Sequence, residues 1–289
     1  MSAVTGIFRA NTVEIAAEMS GLTSHLSPHQ RVRQVALLVC MLVCSFAFTA
    51  AGAADGDAVI TAVDQHEDGY TNLRSNVTMV LQSANGRKRE RVLTITAVEI
   101  KPLGDHRKFV FNKPNDVKGT AVLIHSKVID DDNQWIYLPA FKRAKRIAST
   151  NKSTPFVGSE FSYEDLSSQE QQKYDNRWVG TAEVDALLCD VIERTPRYAN
   201  SAYSKVLAYV DQTHNRFRKV EYFDKAGSLI KTQYLTDYQV YNQRYHLPGQ
   251  TVMHNHQTGK KTIMLWEDIR LATQLSKSDF TVASLKRSR

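Results

Sequence analysis

His254-Asn255-His256 places two imidazoles at i and i+2, on one face of a strand, as a partial zinc site would. His246 is the nearest further imidazole, and no Cys or acid completes a ligand motif, so no metal is expected. Asp130-Asp131-Asp132 offers carboxylates for calcium, but no Gly and distal Glu follow at EF-hand spacing. A solvated hairpin turn is expected there. Ser159 lies in Gly158-Ser159-Glu160, which is not a nucleophile elbow, and its hydroxyl is expected to satisfy a turn or a helix start. Ser162 and Asp165 fit a capping box loosely, with Asp in place of Glu or Gln. Cys189 sits in the apolar run 186–192 and reads as a buried, inert thiol. There is no Gly-rich phosphate loop. No catalytic residue, metal or cofactor is assigned, and the chain is not read as an enzyme.

Lys142, Arg143, Lys145 and Arg146 form a basic cluster. Nucleic-acid recognition would want interleaved aromatics and a known module, so it is set aside. On a strand, Lys142 and Arg146 alternate with Arg143 and Lys145, so both faces carry charge. Three readings stay open. The cluster is an exposed edge strand with solvated charges, or a site for anionic headgroups or an acidic partner, or it supplies an Arg that holds a lid shut.

These groups need a scaffold, and length and composition bound it. The chain has 289 residues, a net charge of +7 and 23% charged residues, an ordinary globular mix. A mean hydropathy of −0.37 excludes a polytopic membrane protein. Arg31 and Arg33 precede an apolar run over 35–48, which ends in Ala51-Gly52-Ala53. Basic flank, short apolar core and A-x-A end are the parts of a signal peptide. Residues 1–53 are therefore read as an N-terminal extension and signal peptide, cleaved after Ala53, with Met19 an alternative start. Cys40 and Cys44 fall inside that core, leaving Cys189 alone in a single domain over 54–289.

Val59, Ala62, Val63 and His66 have helical spacing, so 57–67 is predicted to be an amphipathic helix. Strand follows strand after it: 75–82, 91–99, 108–112, 121–128, 134–138, 142–148, 177–184, 186–193, 205–210, 216–223, 229–240, 250–255 and 262–271. Asn85-Gly86, Asp224-Lys225-Ala226-Gly227 and Thr258-Gly259-Lys260 separate some of them with turn chemistry. An antiparallel meander is expected. Val206, Ala208 and Val210 face away from Leu207 and Tyr209, and Ile263 and Leu265 away from Met264 and Trp266. A sheet apolar on both faces must cover both or enclose something.

The segment 130–166 departs from this rhythm. Trp135, Tyr137, Leu138 and Pro139 form a W-x-Y-L-P block, followed by Arg143, Arg146 and Ile147 in R-x-x-R-I. Phe156, Gly158, Ser159, Phe161, Ser162 and Asp165 then match F-x-G-S-x-F-S-x-x-D. This run resembles the outer membrane lipoprotein-sorting protein family, a LolA-like group. Tyr70, 111–114, 118–120 and 221–224 extend the match. The resemblance implies a mainly β fold, a half-open antiparallel β-barrel of about eleven strands with a helical lid and an apolar cavity. It implies a periplasmic carrier that shelters acyl chains of a lipoprotein or lipid on the way to the outer membrane. The alternative is a non-transporting accessory protein docking to an RND-type lipid exporter or other envelope partner. Partners would be acyl chains and an RND-type exporter or outer-membrane receptor, with no nucleic acid, and a monomer is expected. Trp135, Tyr137, Leu138, Arg143, Arg146, Phe156 and Phe161 are the ligand and lid candidates.

Overall fold

The computed structural model describes residues 55–287. The expected signal segment 1–53 with its expected cleavage after Ala53, Met19, Cys40 and Cys44 lie outside the described residues.

Helix α1 spans Gly56–Glu67, close to the predicted 57–67. Asp55 caps it, its carboxylate accepting from Asp57 N at 3.1 Å. Ile60 and Val63 are buried, and Ile60 packs on Trp178, Ile192, Ala208 and Phe217. The helix start lies hard against the sheet: a Cβ on Gly56 would stand 2.6 Å from Asn176 O.

The strands are β1 Asn72–Gln82, β2 Lys88–Ile100, β3 Gly104–Lys113, β4 Ala121–His125, β5 Asn133–Leu138 and β6 Arg143–Ile147. After a crossover over 148–173 come β7 Tyr174–Val184, β8 Leu187–Pro196, β9 Tyr203–Asp211, β10 Arg216–Asp224 and β11 Leu229–Thr236. Then follow β12 Gln239–Tyr241, β13 Tyr245–Leu247, β14 Gln250–Asn255, β15 Lys261–Leu271 and helix α2 Val282–Leu285.

Thirteen strands form one sheet, in the order β6-β5-β4-β3-β2-β1-β15-β14-β11-β10-β9-β8-β7. The count exceeds the eleven or so that the resemblance implies and equals the thirteen runs read from alternation. The edges β6 and β7 stay apart, so the barrel is half-open. One expected strand, 229–240, divides. Asp237 takes φ +54, which ends β11, and β12 turns away to pair with β13 as a separate ribbon.

The sheet is apolar on both faces, and both are covered. On the inner face Met79, Leu93, Ile95, Phe109, Phe111, Val122 and Ile124 are buried beneath Phe156, Phe161, Tyr163 and Leu166 of the crossover. On the outer face Val98, Ala121 and Leu123 are buried beneath Phe280 and Leu285 of the C-terminal segment. β4 shows the alternation at its limit, since Ala121 through Ile124 are all fully buried, alternately on the two faces.

Candidate functional site

The crossover is fastened to the sheet by buried polar groups. Asp165 and Ser162 bond reciprocally, Ser162 N to Asp165 Oδ2 at 2.7 Å and Asp165 N to Ser162 Oγ at 3.3 Å. The loose capping box of the sequence therefore forms, as a turn rather than a helix start. Asp165 also accepts from Tyr203 OH at 2.6 Å and pairs with Lys231. Beside it the buried Glu164 accepts from Ser201 Oγ at 2.6 Å and Ala202 N at 2.9 Å. Gln134 of β5 donates to Tyr163 O at 3.0 Å, and Arg91 donates to Val157 O. Each bond holds a crossover group that would otherwise be a costly unpaired polar atom.

The acidic triplet is not the solvated turn expected of it. Asp132 is only 5% exposed and pairs with Lys173, while Asp131 pairs with Lys152 at 2.6 Å. Two lysines of the crossover reach back to neutralise these carboxylates, which draws the turn inward. Asp130 alone is exposed.

A cavity of about 240 Å³ remains on the inner face between the end of α1 and the crossover. Its walls are mostly apolar: Tyr70, Leu73, Ile95, Phe109, Phe161, Leu166, Leu235, Met264, Trp266 and Ile269. A second cavity of about 200 Å³ adjoins it and is more polar, with Ser167, Ser168, Gln169 and Arg194 in its wall. The two share Glu67, Asp68, Arg107, Asp165, Gln233 and Leu235. The joint space thus has Glu67, Asp68, Arg107 and Asp165 at its waist, between a mostly apolar lobe and a more polar one.

The carboxylates at the end of α1 are held toward their neutral forms. Burial, reinforced by Asp64 and Asp68, pushes Glu67 up to about 8. Asp68, exposed as a residue, is still raised to about 7, by the partial desolvation of its carboxylate at the cavity and then by the neighbouring Asp64. Burial likewise raises Asp64 to about 6, against the pull of Arg194.

The seven sequence candidates do not converge. Phe161 lines the apolar cavity, and Phe156 is buried in the core beneath it. Trp135 and Tyr137 point to the outer face and pack against the C-terminal segment. Leu138 ends β5, and Arg143 and Arg146 are exposed on the edge strand β6, where Arg146 donates to Asn133 Oδ1 at 2.5 Å. Alternation explains the split, since Ile136 takes the inward position between Trp135 and Tyr137. Sequence reasoning missed the carboxylates ending α1, Arg107, and the wall from β11 and β14. Adjacent acids closing an amphipathic helix were the available signal.

The other chemistry-bearing residues lie elsewhere. His256 Nε2 lies 2.8 Å from Thr232 Oγ1, and His246 stacks on His66 at 4.4 Å. Among the described residues no group of His, Cys, Asp and Glu is placed to hold a metal ion. Cys189 is buried, and burial raises its thiol. Ser159 Oγ donates within its turn to Phe161 O at 3.2 Å.

A half-open antiparallel barrel with an internal cavity under a crossover defines a LolA-type fold. A family model described only as an uncharacterized protein matches residues 104–287. No curated protein matches the chain significantly. Among solved structures, an outer membrane lipoprotein-sorting protein domain from Vibrio parahaemolyticus is 38% identical, with a TM-score of 0.79 over 82% of this chain and 100% of that one. A DUF1329-family protein from Desulfovibrio piger is 25% identical, with a TM-score of 0.75 over 80% of this chain and 97% of that one. A LolA-superfamily protein from Nitrosomonas europaea shares the fold at 17% identity and a TM-score of 0.66, over 79% of this chain and 98% of that one. The chain belongs to the outer membrane lipoprotein-sorting protein family. No helix among the described residues is long and apolar enough to cross a membrane.

Proposed function

We propose that the protein is a periplasmic carrier that shelters the acyl chains of a lipoprotein or lipid for transfer to the outer membrane. The observation that carries this reading is the apolar cavity on the inner face, walled by Leu73, Phe109, Phe161 and Trp266. Each acyl CH₂ left in water costs about 0.8 kcal/mol, so a free anchor needs such a shelter to cross an aqueous compartment. The crossover, fixed by Asp165 and Glu164, is the stationary wall. Helix α1 is the moving lid, since its polar ties to the rest of the chain are few and half-exposed, such as Thr61 to Gln171 at 3.1 Å. Of the family-motif residues, Phe161 lines the cavity with Phe156 packed beneath it, and Trp135 and Tyr137 seat the outer cover. Residues 1–53 act as the export signal, removed after Ala53. Cargo would come from an RND-type exporter and pass to an outer-membrane receptor, with no catalytic step and no cofactor.

Mass spectrometry of lipids extracted from natively purified protein tests this. Bound acylated species in stoichiometric amount are expected. Protein that never carries or transfers an acylated ligand would overturn the reading. That result would instead favour an accessory protein that docks to an exporter, to which the rigid fastening of the crossover is suited.

A further inference from the structure

One end of the main sheet is a continuous basic rim. Register places the reversals of four strand pairs there: Leu138 opposite Arg143, Val110 opposite Ala121, Gln82 opposite Lys88, and His254 opposite Lys261, with Gln82 also facing Lys261. Neighbouring turns touch. A Cβ on Gly119 would lie 3.1 Å from Pro139, and one on Gly259 would lie 3.5 Å from Ala84. Arg87, Lys88 and Arg89 are exposed on the β1–β2 turn, and Lys113 and Lys118 beside the β3–β4 loop. Lys142, Arg143 and Lys145 are exposed at the β5–β6 turn, and Lys260 at the β14–β15 turn.

None of these cations forms an ion pair among the described residues. The carboxylates nearby are few: Glu90, Asp116 and Glu160, with Asp224 at the β10–β11 turn next along the same end. The opposite end is mixed, with Asp130, Asp185, Asp237 and Asp268 at its turns and strand ends beside Lys101, Lys127 and Arg270.

Two details shape the rim. A groove of about 330 Å³ between the β1–β2 and β14–β15 turns is walled by Arg87, Lys88, Arg89, Lys260 and Lys261, with Glu160 its one acid. At the far corner Phe141 is 70% exposed, next to Lys142 and Arg143.

We propose that this rim docks the protein on an anionic lipid bilayer, with headgroup phosphates in the groove and the Phe141 ring in the interfacial layer. The charges follow seven strand spacings, roughly 34 Å along the curled edge of the sheet, a rim broad enough to face an extended partner. Long flexible Lys and Arg chains follow a surface of mobile phosphates, and each near the surface contributes comparably. A lone aromatic ring among them fits the bilayer interface better than a base-stacking platform, which needs successive aromatics. The proposal goes beyond the carrier reading and does not rest on it, because docking needs no cargo.

The test is sedimentation of the purified protein with vesicles. Binding is expected to vesicles of roughly one-third phosphatidylglycerol and not to pure phosphatidylcholine. Salt at about 0.5 M should release it. Neutralising each cation should weaken binding about fivefold, so Lys142→Gln with Lys145→Gln should weaken it about 25-fold. Phe141→Ser should weaken it about tenfold. All these side chains are exposed, so unchanged urea midpoints are expected and would certify folding. Equal binding to neutral vesicles, no binding to anionic ones, or variants that bind like the parent would overturn the proposal. So would retention by an acidic peptide or single-stranded DNA with none by vesicles. Lipid extraction reads cargo and sedimentation reads docking, so the two proposals fail separately.

Discussion

Lys231 of β11 donates to Asp165 of the crossover with both side chains nearly shut off from water, 7% and 0% exposed. The ammonium also lies over the rings of Tyr203 and Tyr222, at 5.1 and 5.2 Å. One ion pair thus ties the family motif F-S-x-x-D to the far half of the sheet. Removing one partner of a buried pair leaves a charge uncompensated. Lys231→Met should therefore cost about 3 kcal/mol in urea unfolding. A midpoint like the parent's would show that the crossover does not depend on this pair.

The lid should respond to pH. Glu67, Asp68 and Asp64 rise from ordinary values of 4.5, 3.8 and 3.8 to about 8, 7 and 6 when α1 is closed. Raised acids bind more protons in the closed state than in the open one. Their stabilisation of closure is therefore complete at low pH and is lost as pH rises through about 6 to 8. Arg107 and Arg194 oppose the shift, while Glu99, Asp105 and Glu170 reinforce it. Hydrogen exchange of the α1 amides, corrected for intrinsic rate, should quicken between pH 5 and about 8.5, and Glu67→Gln should flatten the rise. Corrected rates that stay level with pH would remove the carboxylates from the account of opening.

The tryptophans report from separate places: Trp266 in the cavity wall, Trp178 beside α1 and Trp135 on the outer face. A fatty acid with a quencher on its chain should quench Trp266 most. Trp266→Phe should abolish most of the quenching, and Trp135→Phe should leave it. Quenching that survives Trp266→Phe would place acyl chains elsewhere.

The outer cover is testable by truncation of one ring. Phe280 is 1% exposed, with Lys108 Nζ 5.6 Å from its centroid. Phe280→Ala should destabilise the protein by about 3–5 kcal/mol and shift Trp135 emission toward the red. Cavity contacts lie on the other face, so acyl binding by the folded fraction should persist.

Much of the architecture was legible in alternation alone. The period of two located every strand of the main sheet, and the two-faced runs at Val206 to Val210 and Ile263 to Trp266 required covers on both sides. What alternation cannot supply is which face a given aromatic takes, because that depends on register against distant strands. Trp135 and Tyr137 went outward for that reason. The acidic triplet was misread because its partners, Lys152 and Lys173, sit 21 and 41 residues away. The break at Asp237 rests on a single left-handed residue, which composition does not mark.

The unjoined edges β6 and β7 bear on what sets the girth of the enclosed space. A closed barrel has its girth set by strand number and stagger. Here no ladder joins β6 to β7, so the girth is set by the side chains that bridge the two ends, Lys173 to Asp132 and Lys231 to Asp165 among them. The enclosed space is then held by a few buried side-chain pairs and not by strand stagger, and loosening those pairs would widen it without parting a ladder bond.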